Sequence, residues 1–150
     1  MNHTKNHGFQ FLDFIFTKEE DIQLYSLVAG SFAVIKCDGR VLMVYNKWRQ
    51  QWELPAGKRE VTETVKQCAV RELFEESGQV VEGLEFVGLL KLKQVSNGKI
   101  KFNPVYTATI EQLQPFIAND ETSQIQLWDE GEEIGCFDEM DLKILEYIEI

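Results

Sequence analysis

Between Leu54 and Gly78 the chain reads LPAGKREVTETVKQCAVRELFEESG, with Glu63, Arg71, Glu72, Glu75 and Glu76 at spacings that could do chemistry. At about 100° per residue, Glu72, Glu75 and Glu76 fall within a sector of roughly 100° on a helix. Val70, Leu73 and Phe74 point away from that sector, so the acids need not compete with burial. Like charges one turn apart repel by about a few tenths of a kcal/mol per pair, and Arg71 is the only close cation. Two readings of these residues stay open. The helix face is simply wet, or its carboxylates hold a hard divalent cation such as Mg²⁺, which takes oxygen ligands and keeps some water. The preceding loop favours the second: Pro55 fixes an extended entry and Gly57 lets the backbone approach closely. A carbonyl of Ala56 or Gly57 would then offer a neutral oxygen to the helix acids.

The elements that must position these residues follow from pattern. Thr62 or Thr64 can start the helix and Gly78 can stop it. Asp38-Gly39 and Asn97-Gly98 each separate two apolar runs, which predicts two hairpins. The runs themselves are nearly continuous in apolar character, so the sheet should be covered on both faces, in a layered α/β arrangement. Asp138 is the expected N-cap of a last helix that carries Leu142, Leu145 and Ile148 at helical spacing. Phe9 to Phe16 alternates as a half-buried strand behind a mobile tail containing His3 and His7. Asp129 to Glu133 reads as a solvated connector. Residues 1–25 therefore form an N-terminal extension with one strand, and residues 26–150 a single domain.

A chain of 150 residues is long enough for a sizeable core, and 44% hydrophobic residues suit a globular protein. Cys37, Cys68 and Cys136 are scattered and odd in number, as expected of reduced thiols rather than a zinc site. No membrane-length apolar run and no signal-like start is present, which points to a cytoplasmic protein without a membrane partner. The net charge of −10 repels long polyanions, so no nucleic-acid polymer is expected as a partner. A small anionic substrate remains compatible, given a metal and a few local cations.

The series Gly57, five residues, Glu63, seven residues, then Arg71-Glu72-Leu73-x-Glu75-Glu76-x-Gly78 resembles the signature of the Nudix (MutT-like) hydrolases. The sequence departs from that pattern at Gln79, where the family usually has an apolar residue. The resemblance implies a Nudix-type α/β/α sandwich with a mixed β-sheet between helices. It implies Mg²⁺- or Mn²⁺-dependent attack of water on a nucleoside diphosphate linked to another moiety. By position, Glu72, Glu75 and Glu76 would ligate metal with the Ala56 or Gly57 carbonyl, Glu63 would support them, and Arg71 would orient a carboxylate. The general base would be a helix glutamate or an acid in a later loop, which the segment from Ala118 to Trp128 resembles, with Glu121 first and Asp120 second. Arg49, Arg59 and Tyr106 are candidates for contact with a small nucleotide substrate. Markers of other Nudix subfamilies are missing, so a nucleoside triphosphate, oxidised or not, is expected by elimination. The alternative is a catalytically silent nucleotide-binding module, and the N-terminal strand suggests a homodimer.

Overall fold

The computed structural model describes residues 3–150 of the chain. Its strands are β1 (His3–Lys5), β2 (Phe9–Ile15), β3 (Ser31–Cys37), β4 (Arg40–Asn46), β5 (Gln51–Glu53) and β6 (Ala56–Gly57). After helix α1 (Val65–Ser77) come β7 (Glu85–Gln94), β8 (Ile100–Ile110), β9 (Thr122–Trp128), β10 (Cys136–Asp138) and helix α2 (Glu139–Leu145). The sheet runs β1-β10-β5-β4-β3-β8-β7-β2, with β6 added to β3 and β9 to β4. It is mixed: β3 and β8 are parallel, while β7 lies antiparallel to both β8 and β2.

Period-two alternation divides the apolar runs between two cores. Val34, Val41 and Met43 face one side, where Met140, Ile144 and Leu145 of α2 cover them. Ala33, Ile35 and Leu42 face the other, under Ala69 and Leu73 of α1. Both faces are buried, as the apolar runs required, and the result is an α/β/α sandwich. The hairpin at Asp38-Gly39 holds both residues at positive φ, 54° and 71°, the pair of conformations that a two-residue connection needs.

Local chemistry sets the limits of α1. Thr64 is the N-cap: its hydroxyl accepts from the Gln67 amide at 3.1 Å and the Gln67 side chain accepts from the Thr64 amide at 2.8 Å. This reciprocal capping box satisfies two otherwise orphaned donors. Gly78 ends the helix with φ 81°, left-handed backbone that glycine adopts without penalty. Asp138 caps α2 by accepting from the Met140 and Asp141 amides.

Two expectations are corrected here. The tail expected to be mobile is paired, β1 lying parallel to β10, and the His7 ring contacts Gln51 Oε1 at 2.8 Å. The segment read as a loop up to Trp128 becomes strand β9 from Thr122 on, antiparallel to β4. Its polar alternation, TSQIQLW, hides a strand whose stability comes from its neighbour. The strand expected near Phe9 to Phe16 is β2, and its partner is β7 of the same chain. Phe14 from β2 is buried and stacks on Tyr147, ring centroids 4.9 Å apart. Among the described residues, no helix is long and apolar enough to cross a membrane.

Close approach of β2 to β7 depends on Gly88. A Cβ there would stand 2.5 Å from the Ile15 carbonyl oxygen and 2.7 Å from the Phe14 ring. Gly88→Ala should therefore lower the urea-unfolding free energy by about 1–3 kcal/mol, the range for forced overpacking. An unchanged midpoint would mean that β2 adjusts without cost.

Candidate active site

Strand β6 fixes the loop side of the site. The Pro55 carbonyl accepts from the Ala33 amide at 2.9 Å, and Ser31 pairs with Gly57. The intervening Ala56 amide therefore points out of the ladder, and it donates to Glu76 Oε1 at 2.8 Å. In extended backbone the N–H and C=O of one residue share a side, so the Ala56 carbonyl lies on the acid side. The Gly57 carbonyl instead accepts from Cys68 Sγ at 3.2 Å and packs on Gly30, where a Cβ would overlap it. Of the two carbonyls expected to face the acids, Ala56 does so and Gly57 does not. What approaches Gly57 closely is the Glu72 carboxylate, which a Cβ at that position would overlap.

Glu72, Glu76 and Glu121 each bring a carboxylate oxygen within 4.8 Å of the others. Glu76 is buried, 2% exposed. Burial, reinforced by a hydrogen bond with Glu121, pushes its carboxyl up to about 10. Burial also raises Glu72, against the opposing pull of Arg71. An all-oxygen group carrying this much unrelieved acid fits Mg²⁺ or Mn²⁺ by donor type. Glu121 arrives on the segment before β9. Its carbonyl accepts from the Lys47 amide at 3.0 Å, and the Asn119 side chain accepts from the amides of Glu121 and Thr122. Thr122 Oγ1 donates to the Glu76 carbonyl at 2.6 Å, tying that segment to α1.

Arg71 links the neighbouring acids Glu63 and Glu75 to Glu72 of this group. It donates to both oxygens of Glu63 at 2.7 and 2.9 Å, to Glu72 at 2.6 Å, to Glu75 at 2.8 Å and to the Lys58 carbonyl. The hydrogen bonds of Arg71 hold Glu63 down at about 2. Arg71 thus contacts both Glu75, one turn on, and its neighbour Glu72. Glu75 is half-exposed and lies on Arg71, apart from the three-carboxylate group. Asp120 contributes only its carbonyl, which accepts from the exposed Trp48 indole N–H at 2.8 Å.

The acids open onto a cleft of about 460 Å³, whose cations are Arg49, Lys58 and Lys101. Arg49, expected near the substrate, is in the wall and bonds Glu53 at 3.0 Å. Arg59 is exposed in a different depression beside Gln23 and Val28. Tyr106 corrects the sequence reading: it is fully buried in the core beneath α1, and its hydroxyl donates to Glu19 at 2.6 Å. Strand alternation turns it to the face opposite the cleft.

Sequence reasoning missed Phe9, Lys101 and Asn103 in the cleft wall, and the role of Gln79. The odd-numbered alternation of Lys101, Asn103 and Val105 was the available signal for two of them. Gln79 is fully buried, and its side-chain amide donates to the Gln114 carbonyl and accepts from the Gln114 amide, both at 2.7 Å. It behaves as a short piece of ladder that anchors the segment leading to Glu121.

Two outcomes follow from these contacts. Glu76 ionises near 4.5 when unfolded but only near 10 when folded and metal-free. Its contribution to stability is therefore complete below 4.5 and declines as pH rises toward 10. Glu76→Gln should raise metal-free stability at pH 8 by about 1–3 kcal/mol, a gain absent near pH 4, as read by urea melts in EDTA. Gln79→Leu should strand both Gln114 backbone groups, costing about 1–3 kcal/mol. Faster hydrogen exchange at the Gln114 amide would register it, and unaltered exchange would discard the anchoring role.

The family model described as NUDIX domain matches residues 25–148. A MutT-like protein of Streptomyces ambofaciens is 41% identical over 64 residues, covering 43% of this chain and 40% of that protein. The chain thus spans less than half the length of that relative. The MutT NUDIX hydrolase of Burkholderia pseudomallei superposes with TM-score 0.70 at 24% identity, over 83% of this chain and 99% of that one. A mutant form of the Bacillus subtilis pyrophosphohydrolase BsRppH gives TM-score 0.63 at 23% identity, over 77% of this chain and 70% of that one. With the family match running across both hairpins, the acidic helix and α2, the chain belongs to the NUDIX domain family.

Proposed function

We propose that this protein is a Mg²⁺- or Mn²⁺-dependent hydrolase of the phosphoanhydride in a nucleoside diphosphate linked to another moiety. A nucleoside triphosphate, plain or oxidised in its purine, is the favoured substrate, giving monophosphate and pyrophosphate. The reading rests on one observation above all: carboxylates of Glu72, Glu76 and Glu121 converge beside the Ala56 backbone, and the buried Glu76 has no Lys or Arg ion pair among the described residues.

Glu72 and Glu76, with the Ala56 carbonyl, are the residues to hold the cation, and Glu75 adds negative charge one turn away. When bound, such a cation neutralises phosphate oxygens and lowers the pKa of a coordinated water. Glu121, whose carboxylate joins those of Glu72 and Glu76, is the residue to accept the proton of the attacking water. Arg71, locked by Glu63, keeps Glu72 in one rotamer and removes the freedom that would blur the site. Lys58, and Arg49 beside its partner Glu53, are the nearby cations open to a polyphosphate. The carboxylates of the same cleft need the bound metal to offset them within a protein of net charge −10. That same net charge argues for a small nucleotide over a polymer.

Release of phosphate or pyrophosphate is to be measured across nucleoside triphosphates, sugar nucleotides and dinucleotides, with and without Mg²⁺. Turnover should require the metal. Glu76→Gln should lower kcat by more than the roughly 10–100-fold that changes in supporting residues cause, while the variant still folds. Saturable nucleotide binding without any product at saturating Mg²⁺ would replace the hydrolase with a silent binding module.

A further inference from the structure

Strand β2 lies outside residues 25–148 that match the family model, yet its first residue, Phe9, reaches the cleft that contains the carboxylate group. The register accounts for this. β2 pairs with β7, β7 with β8, and β8 with β3, so the four strands form one unbroken floor. Side chains two apart on a strand share a face. On the face of Val105, β8 also carries Lys101 and Asn103, while Phe32 stands on β3 and Leu92 on β7. Phe9 closes the outer end.

Lys101 Nζ lies 5.4 Å from the centroid of the Phe9 ring. No ion pair among the described residues includes Lys101, so the aromatic face is what holds this ammonium at the cleft. Asn103 donates its amide to the Gly30 carbonyl at 2.7 Å, and its own side-chain oxygen has no donor among the described residues. The cleft wall therefore offers a cationic donor and a free neutral acceptor, two positions apart on one strand and beside the apolar Phe9, Phe32 and Leu92, in a cleft also lined by Glu53, Asp138 and Asp141. A phosphate would match the cation alone, since the amide oxygen repels an anion and the apolar walls cannot solvate one. A flat heteroaromatic ring matches every part: faces against Phe9, Phe32 and Leu92, and an edge bearing both acceptors and a donor.

We propose that this end of the cleft is the nucleobase subsite, and that Phe9, Lys101 and Asn103 set its specificity. The N-terminal strand thereby becomes part of the binding site. The inference rests on the reading of the carboxylate end as the phosphate end of the same cleft.

Wild type, Lys101→Met and Phe9→Leu separate the possibilities in two measurements. In EDTA, saturation-transfer NMR with GMP and AMP should show stronger transfer to base protons than to ribose protons in wild type, weakened several-fold in both variants. With Mg²⁺, the ratio of kcat/KM for a nucleoside triphosphate to that for inorganic tripolyphosphate should fall about tenfold in each variant, through KM. Lys101→Met keeps the aliphatic stem, so its result stands even where Phe9→Leu loosens the strand. Equal transfer to base and ribose in wild type, or an unchanged ratio, would overturn the subsite. If no substrate is hydrolysed, the hydrolase reading fails alone, and the metal-free NMR still decides the subsite. If hydrolysis proceeds without base contact, only the subsite falls.

Discussion

A carboxylate that is 2% exposed must find compensation, and the surroundings of Glu76 give it very little. It accepts one amide hydrogen bond from Ala56, and its other neighbours are the acids Glu72 and Glu121. Moving an unpaired charge into such a place is expensive, and the metal-free protein escapes the cost by keeping Glu76 protonated, its pKa at about 10. The fold nevertheless keeps the three acids together. Gly57 removes the side chain that would push Glu72 away, Arg71 fixes Glu72 from behind, and Thr122 ties the segment carrying Glu121 to the carbonyl of Glu76 itself. Each of these contacts spends stability on holding like charges close, a pattern typical of sites built for a ligand.

Helix α1 serves both layers because its period separates the tasks. Ala69 and Leu73 enter the core under the sheet, Glu72 and Glu76 face the loop, and Arg71 and Glu75 face outward. The capping box at Thr64 and the left-handed Gly78 set the helix register against β6. A shift of one residue would rotate the acids by about 100° and set Arg71 or Leu73, in place of Glu72, against Gly57. Position along the helix is thus the variable that the caps control. The apolar face supplies the energy that keeps it fixed.

Local features were legible in the sequence, and long-range ones were not. The limits of α1, the Asp38-Gly39 turn, the Asp138 cap and the two-faced sheet follow from spacing within a few residues. The entry loop and the acids of α1 are likewise local, so the approach of Ala56 and Gly57 to an acidic helix face could be read from spacing. Glu121 lies 45 residues beyond Glu76 in the chain; spacing alone did not reach it, the family resemblance offered it, and the pairing of β9 with β4 brings it back. Tyr106 was misplaced for the same reason: its face depends on the register of β8, and an aromatic residue in an apolar strand carries no mark of direction. Gln79 broke a local rule, and the rule's exception has a distant cause, the backbone of Gln114. β9 stayed hidden because an inner pairing can stabilise a polar strand whose own alternation is weak.

The distribution of charge adds a further constraint. A protein of net charge −10 carries a long-range field that disfavours anions, so any anion must be recruited by groups close enough to act through little solvent. The cleft concentrates three cations, and the fold restrains each differently. Arg49 is tied to Glu53, Lys58 lends its carbonyl to Arg71, and Lys101 leans on an aromatic ring. The first is partly neutralised and the third is not. Since Phe9 comes from β2 and β2 depends on Gly88 for its approach, the Lys101 ammonium is coupled to the packing of the sheet's last strand. Edge-strand stability and the electrostatics of the cleft are therefore one property of this chain, and a change that loosens β2 acts on both.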